Sequence, residues 1–170
     1  MNEQIAGKEK TNQFLFAYLI NYKSRSGSNA WQRMPLHLTL TPWLRTETTP
    51  SNLIGLTEVA LSDTTKVKTK ATTEDSFGIN EDIKAMGVER TDQLLSLHLK
   101  LIEVADSIDA NYSMRYCGEE NWQPHVTHKG TRRLSNGAEL VIDGVDLVQR
   151  LSYKQKALVG RIALADEIIL

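Results

Sequence analysis

Apolar and polar residues follow two different periodicities along the chain, and each periodicity predicts a different secondary structure. Alternation with a period of two is typical of β-strands, and the short apolar stretch at 14–20, which is rich in aromatic residues, predicts a buried strand. The pattern also predicts strands at 36–44, 66–72, 83–89, 112–116, 122–129, 140–151 and 157–164, a β-bulge at Gly87, and loops at 24–29, 74–80 and 131–137.

Helical periodicity is confined to two segments. Thr49 followed by Pro50 predicts an N-cap and a first helical turn, and this helix should extend to about residue 60. Thr91 and Asp92 predict the start of a longer helix over 92–108. The expected apolar sides consist of Leu53, Leu56, Val59 and Ala60 in the first helix and of Leu94, Leu97, Leu101, Ala105 and Ile108 in the second. Few helices among many strands predict an α+β fold.

The length and the net charge of the chain limit the classes of protein to which it can belong. The length of 170 residues fits one domain, which we expect over 13–170 after a polar, flexible leader at 1–12. A formal net charge of −1 argues against nucleic-acid binding through bulk electrostatics, although it is compatible with a local basic patch. The single cysteine, Cys117, cannot form an internal disulfide. With no apolar signal-peptide core and no bilayer-length apolar run, we expect a cytoplasmic monomer without membrane contact.

The tripeptide His-x-Thr occurs twice, as His37-Leu38-Thr39 and as His125-Val126-Thr127, once in each half of the chain. In a strand, residues i and i+2 point to the same face, so each tripeptide places an imidazole beside a hydroxyl. Two such pairs facing each other would supply two proton carriers and two hydrogen-bond donors. That set suits a phosphodiester that passes through a pentavalent, anionic transition state.

A mechanism follows from these four side chains. Histidine has an unperturbed pKa of about 6.5, so one imidazole can act as a base while the other acts as an acid near neutral pH. We hypothesise that His37 and His125 form this catalytic pair and that Thr39 and Thr127 bind the phosphate. The sequence leaves open which histidine is the acid, and the arrangement requires neither a metal nor a cofactor.

The residues around both tripeptides resemble the motifs of the two-histidine phosphoesterase superfamily, which includes the 2′-5′ RNA ligase-like proteins and cyclic nucleotide phosphodiesterases. The segments 35–43 and 122–127 carry the resemblance, with a proline close to each histidine. It implies a bilobal fold in which two pseudo-twofold-related antiparallel sheets, with helices outside, enclose a central active-site cleft. His128 departs from the family pattern, which usually has an apolar residue there, and strand alternation should turn it away from His125.

The resemblance implies a metal-independent phosphodiesterase acting on 2′,3′-cyclic phosphate termini, 2′-5′ linkages or related cyclic nucleotide phosphodiesters. Its partners would be RNA ends, oligonucleotides or cyclic nucleotides. Bases stack on aromatic or guanidinium faces, and phosphates meet basic side chains. The candidate substrate-binding residues are Trp43, Phe77, Tyr116, Trp122, Lys129 and Arg132.

Other interpretations of the same residues stay open. The protein could bind RNA ends or nucleotides on this fold without turnover, or the motif histidines could be hydrogen-bonded core residues with threonines that only favour strands. A metal site at His125 and His128 would need a helix, whereas Pro124 and its neighbours favour a strand. His98 lies on the apolar side of its helix, so we expect it to be packed and hydrogen-bonded.

Overall fold

The computed structural model describes residues 11–23, 30–77 and 80–168, and the predicted loop at 24–29 and most of the predicted leader lie outside them. In these ranges the chain forms ten strands and three helices. The strands are β1 (Asn12–Leu19), β2 (Ala30–Trp31), β3 (His37–Thr39), β4 (Leu44–Thr46), β5 (Val67–Phe77), β6 (Ile83–Val88), β7 (His125–Thr127), β8 (Glu139–Ile142), β9 (Gly144–Ser152) and β10 (Gln155–Ala163). The helices are α1 (Pro50–Ala60), α2 (Asp92–Ser107) and α3 (Gly118–Asn121).

The strands form two antiparallel sheets, which confirms the predicted α+β class. The first sheet has the order β2-β10-β9-β1-β3, and β4 also pairs with β1 beyond the end of β3. The second sheet has the order β7-β6-β5-β8. The two sheets therefore differ in size, and each has one of the His-x-Thr strands, β3 or β7, at an edge.

The main core lies between the helices and one face of the sheets. Phe14 and Phe16 of β1 pack there with Leu53 of α1 and Leu97 of α2. The alternate β1 residues, which include Leu15, belong to a second apolar cluster on the opposite face. The strand is therefore buried on both sides, as its continuous apolar stretch predicts.

Helices α1 and α2 begin at the predicted residues because both predicted caps form. The side-chain oxygens of Thr49 and Thr91 each accept a hydrogen bond from the backbone N–H three residues later. Helix α2 ends at Ser107, one residue before the predicted end. None of the helices in the described ranges is long and apolar enough to cross a membrane.

The buried side of α1 differs from the prediction. Leu53 and Thr57 are buried, whereas Leu56 is 39% exposed and Val59 is 76% exposed. Thr57 can be buried because its hydroxyl donates to the Leu53 carbonyl at 2.7 Å, which satisfies the polar group inside the core.

Two predicted long strands are each divided in the structure. The strand expected at 36–44 becomes β3 and β4, because the segment around Pro42 leaves the ladder and the Thr41 hydroxyl accepts the Phe16 N–H instead. The strand expected at 140–151 divides at Asp143 into β8 and β9, which belong to different sheets. Apolar alternation continues through the first break and does not reveal it. At the second break the core positions shift from Leu140 and Ile142 to Val145 and Leu147.

Other strands also begin or end at residues that differ from the prediction. The predicted strand at 112–116 is absent, and only the neighbouring Asn111 forms an isolated bridge, to Arg45. The strand predicted at 122–129 is reduced to β7, because α3 and an extended segment precede it. Strand β2 at 30–31 was not predicted.

Strand β5 is longer than the predicted strand and continues to Phe77 through residues that were expected to form a loop. Its inward residues Val67, Thr69 and Ala71 are buried, so it is only half exposed. The β-bulge was expected at Gly87, which lies in β6. It lies instead in β5, opposite Gly87, where the register with β6 shifts between Ala71 and Glu74.

Candidate active site

The two His-x-Thr strands meet at the junction between the sheets. Strand β3 is the edge of the first sheet, β7 is the edge of the second, and these two edges contact each other. Their middle residues, Leu38 and Val126, are fully buried in the main core. Because neighbouring residues of a strand point to opposite faces, both His-Thr pairs lie on the face away from the helices.

Each motif histidine is held by the same local hydrogen bond. The Nδ1 of His37 lies 2.8 Å from the Pro35 carbonyl oxygen, and the Nδ1 of His125 lies 2.8 Å from the Gln123 carbonyl oxygen. A carbonyl oxygen can only accept, so Nδ1 carries the proton in both rings. This bond orients each ring and leaves its Nε2 for proton transfer.

The two imidazoles differ in their surroundings. Burial lowers the pKa of His37 from its ordinary value of 6.5, the bond to Pro35 opposes this shift, and the nearby charges of Lys129, His125 and Lys156 lower it further. His37 is therefore neutral at neutral pH. These effects also show that both lysines and the second histidine lie close to His37.

His125 instead stacks on an aromatic ring. The ring of Phe77 lies 4.3 Å from the His125 ring between centroids, with 14° between the planes. Gly87 faces His125 across the β6–β7 pair, and a Cβ atom at this glycine would lie 2.7 Å from the Thr72 hydroxyl. Only glycine fits this close approach of β5 to β6 without a shift.

The two threonine hydroxyls are available to a ligand. Thr39 faces Ala17 in the neighbouring strand, and Thr127 faces Ala85. Both threonines are half-buried, and within the described ranges neither hydroxyl has a hydrogen-bond partner. Small residues beside both threonines leave space at the hydroxyls.

A basic cleft adjoins the motif strands on one side. We use this name for the cleft lined by residues 20–23, 31, 33–36 and 128–134. Its lining contains no aspartate or glutamate among the described residues. The lysine and arginine side chains in the lining are Lys23, Arg33, Lys129, Arg132 and Arg133. A chain with a net charge of −1 thus concentrates positive charge near His37.

A smaller cleft lies on the other side of β7. Phe77 and Gln123 line it together with Thr72, and its charged lining residues have both signs. Arg90 donates to the Glu119 carbonyl at 2.6 Å and to the Trp122 carbonyl at 3.1 Å, which holds the segment that leads into β7.

The predicted substrate-binding residues are distributed unevenly. Lys129 and Arg132 line the basic cleft, and Phe77 lies against His125. Trp43 lies on the same sheet face as His37, but the Arg150 guanidinium covers its ring at 4.4 Å. Tyr116 is 61% exposed and lines neither cleft.

Trp122, which the sequence placed among the candidate substrate contacts, belongs to the main core and also lines the smaller cleft. It is 5% exposed and stacks on His98 with 4.2 Å between ring centroids and 5° between planes. Its ring position therefore supports the segment before His125.

His98 connects the two motif segments through three contacts. Its Nδ1 donates to the Leu40 carbonyl at 2.7 Å, directly after the first motif, and its Nε2 accepts the Gly118 N–H at 2.9 Å, shortly before the second. Burial lowers the pKa of His98, so the ring is neutral, as both bonds require. The sequence predicted a packed, hydrogen-bonded histidine but could not identify these partners, because they are backbone atoms distant in the chain.

His128 contacts Glu74 instead of the motif residues. Its Nε2 lies 3.7 Å from the Glu74 carboxylate, which is also 3.7 Å from the Arg133 guanidinium. At this distance His128 and Glu74 are neighbours without a hydrogen bond, and the buried Nε2 of His128 has no hydrogen-bond partner among the described residues.

The fold is that of the two-histidine phosphoesterases. The chain superposes on Escherichia coli LigT in complex with 3′-AMP with a TM-score of 0.58, at 14% identity over 91% of this chain and 99% of that one. A structure described as a phosphoesterase gives 0.58, at 13% identity over 92% and 100% of the two chains. The protein TT0787 of Thermus thermophilus gives 0.55, at 16% identity over 92% and 100%.

At these identities the likeness establishes the fold alone. No protein-family model matches the chain, and no curated protein sequence matches it.

Proposed function

We propose that this protein is a phosphodiesterase that acts on 2′,3′-cyclic phosphate termini, 2′-5′ linkages or related cyclic nucleotide phosphodiesters. The observation that carries the proposal is the symmetry of the site. The adjacent edge strands β3 and β7 carry two imidazoles whose Nδ1 atoms are already hydrogen-bonded. They also carry two threonine hydroxyls that have no hydrogen-bond partner among the described residues. The phosphoesterase fold of the neighbours supports the same class of reaction.

In this proposal His37 is the general base. Its Nε2 is unprotonated at neutral pH because burial and the nearby lysines lower the pKa of the ring and oppose a further positive charge. A neutral imidazole can take the proton from an attacking water molecule. The Nδ1 bond to Pro35 keeps the ring in the tautomer that this step needs.

His125 is then the general acid, which protonates the leaving ribose oxygen. It lies on the face of Phe77, and its Nδ1 is held by the Gln123 carbonyl. An aromatic face attracts a cation, so this position accommodates an imidazolium. Thr39 and Thr127 would donate to the non-bridging phosphate oxygens, whose charge grows in the transition state.

A nucleotide substrate is supported by what a structural neighbour binds. LigT has been crystallised with 3′-AMP, with phosphate and with ATP. A 3′-nucleotide is the product class expected when a 2′,3′-cyclic phosphate opens at its 2′ oxygen. The bound nucleotides belong to LigT, and for this chain they guide the choice of the first substrate.

The test is turnover of 2′,3′-cyclic AMP in EDTA by the wild type, His37→Ala and His125→Ala, with circular dichroism to verify folding. We expect hydrolysis by the wild type and a loss of about 10²–10⁴-fold in each variant. The product, 2′- or 3′-AMP, identifies the leaving oxygen. Equal turnover by wild type and variants would contradict the proposal.

The same assay separates the alternative of a non-catalytic module for RNA ends or nucleotides. That module would bind 3′-AMP but leave 2′,3′-cyclic AMP and a linear 2′-5′ dinucleotide intact. Binding without turnover of either compound would therefore replace the enzymatic proposal with the binding one.

A further inference from the structure

Three cationic side chains from separate parts of the chain lie near His37 or near one another: Lys129 and Lys156 lie near His37, and Arg33 lies near Lys129. Arg33 follows β2, Lys129 follows β7, and Lys156 lies in β10. The register of β10 with β2 places Lys156 opposite Trp31, two residues before Arg33. Arg33 and Lys129 line the same basic cleft. The fold therefore brings together charges that are far apart in the sequence.

These cations are close enough to repel one another. Burial lowers the pKa of Lys129, and the charges of Lys156 and Arg33 lower it further. The charges of Lys129 and Lys156 also act on His37. Lys129 is therefore partly desolvated, and both Lys129 and Lys156 lie near the proposed general base.

No carboxylate balances this cluster within the described ranges. The ion pairs of the described protein involve other basic residues, and none of the described residues that line the cleft is acidic. Partly buried like charges are unfavourable unless an anion completes the site. A cluster that lacks a counter-charge among the described side chains therefore points to an anionic ligand.

One phosphodiester does not account for this much positive charge. It carries a single negative charge, and the proposed site already offers two threonine hydroxyls and a protonated histidine to its oxygens. Three further cations exceed that requirement, because each ionic hydrogen bond needs its own acceptor. The cluster can therefore bind a second phosphate group.

We infer that Arg33, Lys129 and Lys156 form a subsite for a second phosphate, the 5′-phosphate of the nucleotide whose cyclic diester lies at the histidines. The inference rests on the proposed function, because that function places the reacting diester between His37 and His125. It makes the substrate class a nucleotide with two phosphates. The 5′-phosphate is either a terminal monoester or the diester link to a preceding nucleotide.

The first experiment measures binding instead of turnover. Isothermal titration compares adenosine 3′-monophosphate with adenosine 3′,5′-bisphosphate on the full chain. We expect the bisphosphate to bind at least about tenfold more tightly, since hydrogen bonds between charged groups fall in this range. The advantage should shrink as salt concentration rises. Equal affinities at low salt would overturn the subsite.

Variants locate the effect. Lys129→Gln and Lys156→Gln should each reduce the affinity ratio of bisphosphate to monophosphate about tenfold or remove it, and the exposed Arg33→Gln serves if either lysine variant fails to fold. The matched control is Lys100→Gln on α2, whose exposed ion pair with Asp63 contributes little. An unchanged ratio in the cluster variants would overturn the assignment.

A further ligand separates the two sources of the 5′-phosphate. The dinucleotide ApAp carries a 3′-monophosphate and one internal diester, but no terminal 5′-monoester. Tighter binding of both ApAp and the bisphosphate than of the monophosphate indicates a subsite for an oligonucleotide backbone. Tighter binding of the bisphosphate alone indicates a subsite for a 5′-monoester.

The outcome for the subsite is independent of the outcome for catalysis. Turnover of 2′,3′-cyclic AMP with equal binding of mono- and bisphosphate would overturn the subsite and keep the phosphodiesterase. Tighter bisphosphate binding that depends on Lys129 or Lys156, in a protein without turnover, would keep the subsite and overturn the phosphodiesterase.

Discussion

The two motif strands are nearly identical in local structure and different in environment. In each, the middle residue is buried, the histidine Nδ1 is bonded to the carbonyl two residues earlier, and the threonine faces an alanine. Around them, however, His37 is enclosed and flanked by lysines, whereas His125 lies against Phe77 beside a cleft of mixed charge.

This difference shows what a short motif can specify. The tripeptide determines how an imidazole and a hydroxyl are arranged on one strand, because that arrangement depends only on strand geometry. It does not determine the charge state of the imidazole, which depends on residues from other parts of the chain. The same motif therefore places its imidazole in a different electrostatic environment in each sheet.

The largest expected effect tests whether the two histidines act as one unit. If acid and base work in the same step, His37→Ala and His125→Ala should each lower kcat by about 10²–10⁴-fold. The double variant should lose little more than the worse single variant, since residues that act together are not additive. Steady-state kinetics on all three variants measures this. Losses that multiply in the double variant would instead indicate two independent contributions.

The next effect compares the threonines. Thr39→Val and Thr127→Val keep the shape of the side chain but remove the donor, and removing one donor to a developing oxyanion costs about 10²–10³-fold in kcat at a well-positioned site. We expect both variants to lose activity with little change in melting temperature. Thr→Ser at the same positions is the control, because it retains the hydroxyl. A loss confined to one strand would show that only one hydroxyl contacts the phosphate.

The link between the two motif segments should be visible in stability. His98→Phe keeps a ring against Trp122 but removes both hydrogen bonds, which leaves the Leu40 carbonyl and the Gly118 N–H buried without partners. Each of these two unpaired backbone groups should lower the free energy of unfolding by about 1–3 kcal/mol. Urea unfolding measures it, and His98→Leu, which also loses the stack, isolates the ring contact. No loss of stability in His98→Phe would contradict the bridging role.

The smallest expected effect is a shift in the pH dependence of kcat/KM. The pKa of His37 is lowered, so the rising limb of kcat/KM, which reports a base in the free enzyme, should lie below pH 6.5. Lys129→Gln and Lys156→Gln remove positive charge beside the ring and should move this limb to higher pH. Lys100→Gln should leave it unchanged. A limb that stays in place in both lysine variants would show that burial alone sets the pKa.

The lowered pKa values also predict how stability depends on pH. His37 and His98 both have pKa values in the folded protein below the unfolded value of 6.5, so the unfolded chain binds more protons as pH falls below that value. Folding stability from these groups is therefore complete above pH 6.5 and decreases as pH falls towards the folded pKa values. Urea unfolding at several pH values checks this, and His98→Phe should show a weaker dependence.

The sequence predicted the helices better than the strands, for a physical reason. Thr49 and Thr91 form their caps within one turn of chain, so the signal for each helix start is local. The break at Asp143 is different, because only the pairing partners show that β8 and β9 belong to different sheets. Alternation indicates a strand but does not indicate which sheet receives it.

The sequence by itself determined the two His-x-Thr strands, both long helices and the α+β class, since each depends on contacts between residues near one another in the chain. The tertiary structure alone decided that Lys156 joins Arg33 and Lys129, that Phe77 lies on His125, and that His98 connects both motif segments. These contacts join residues that are distant in sequence. Packing and strand register set the electrostatics of the site, and neither can be derived from a local pattern.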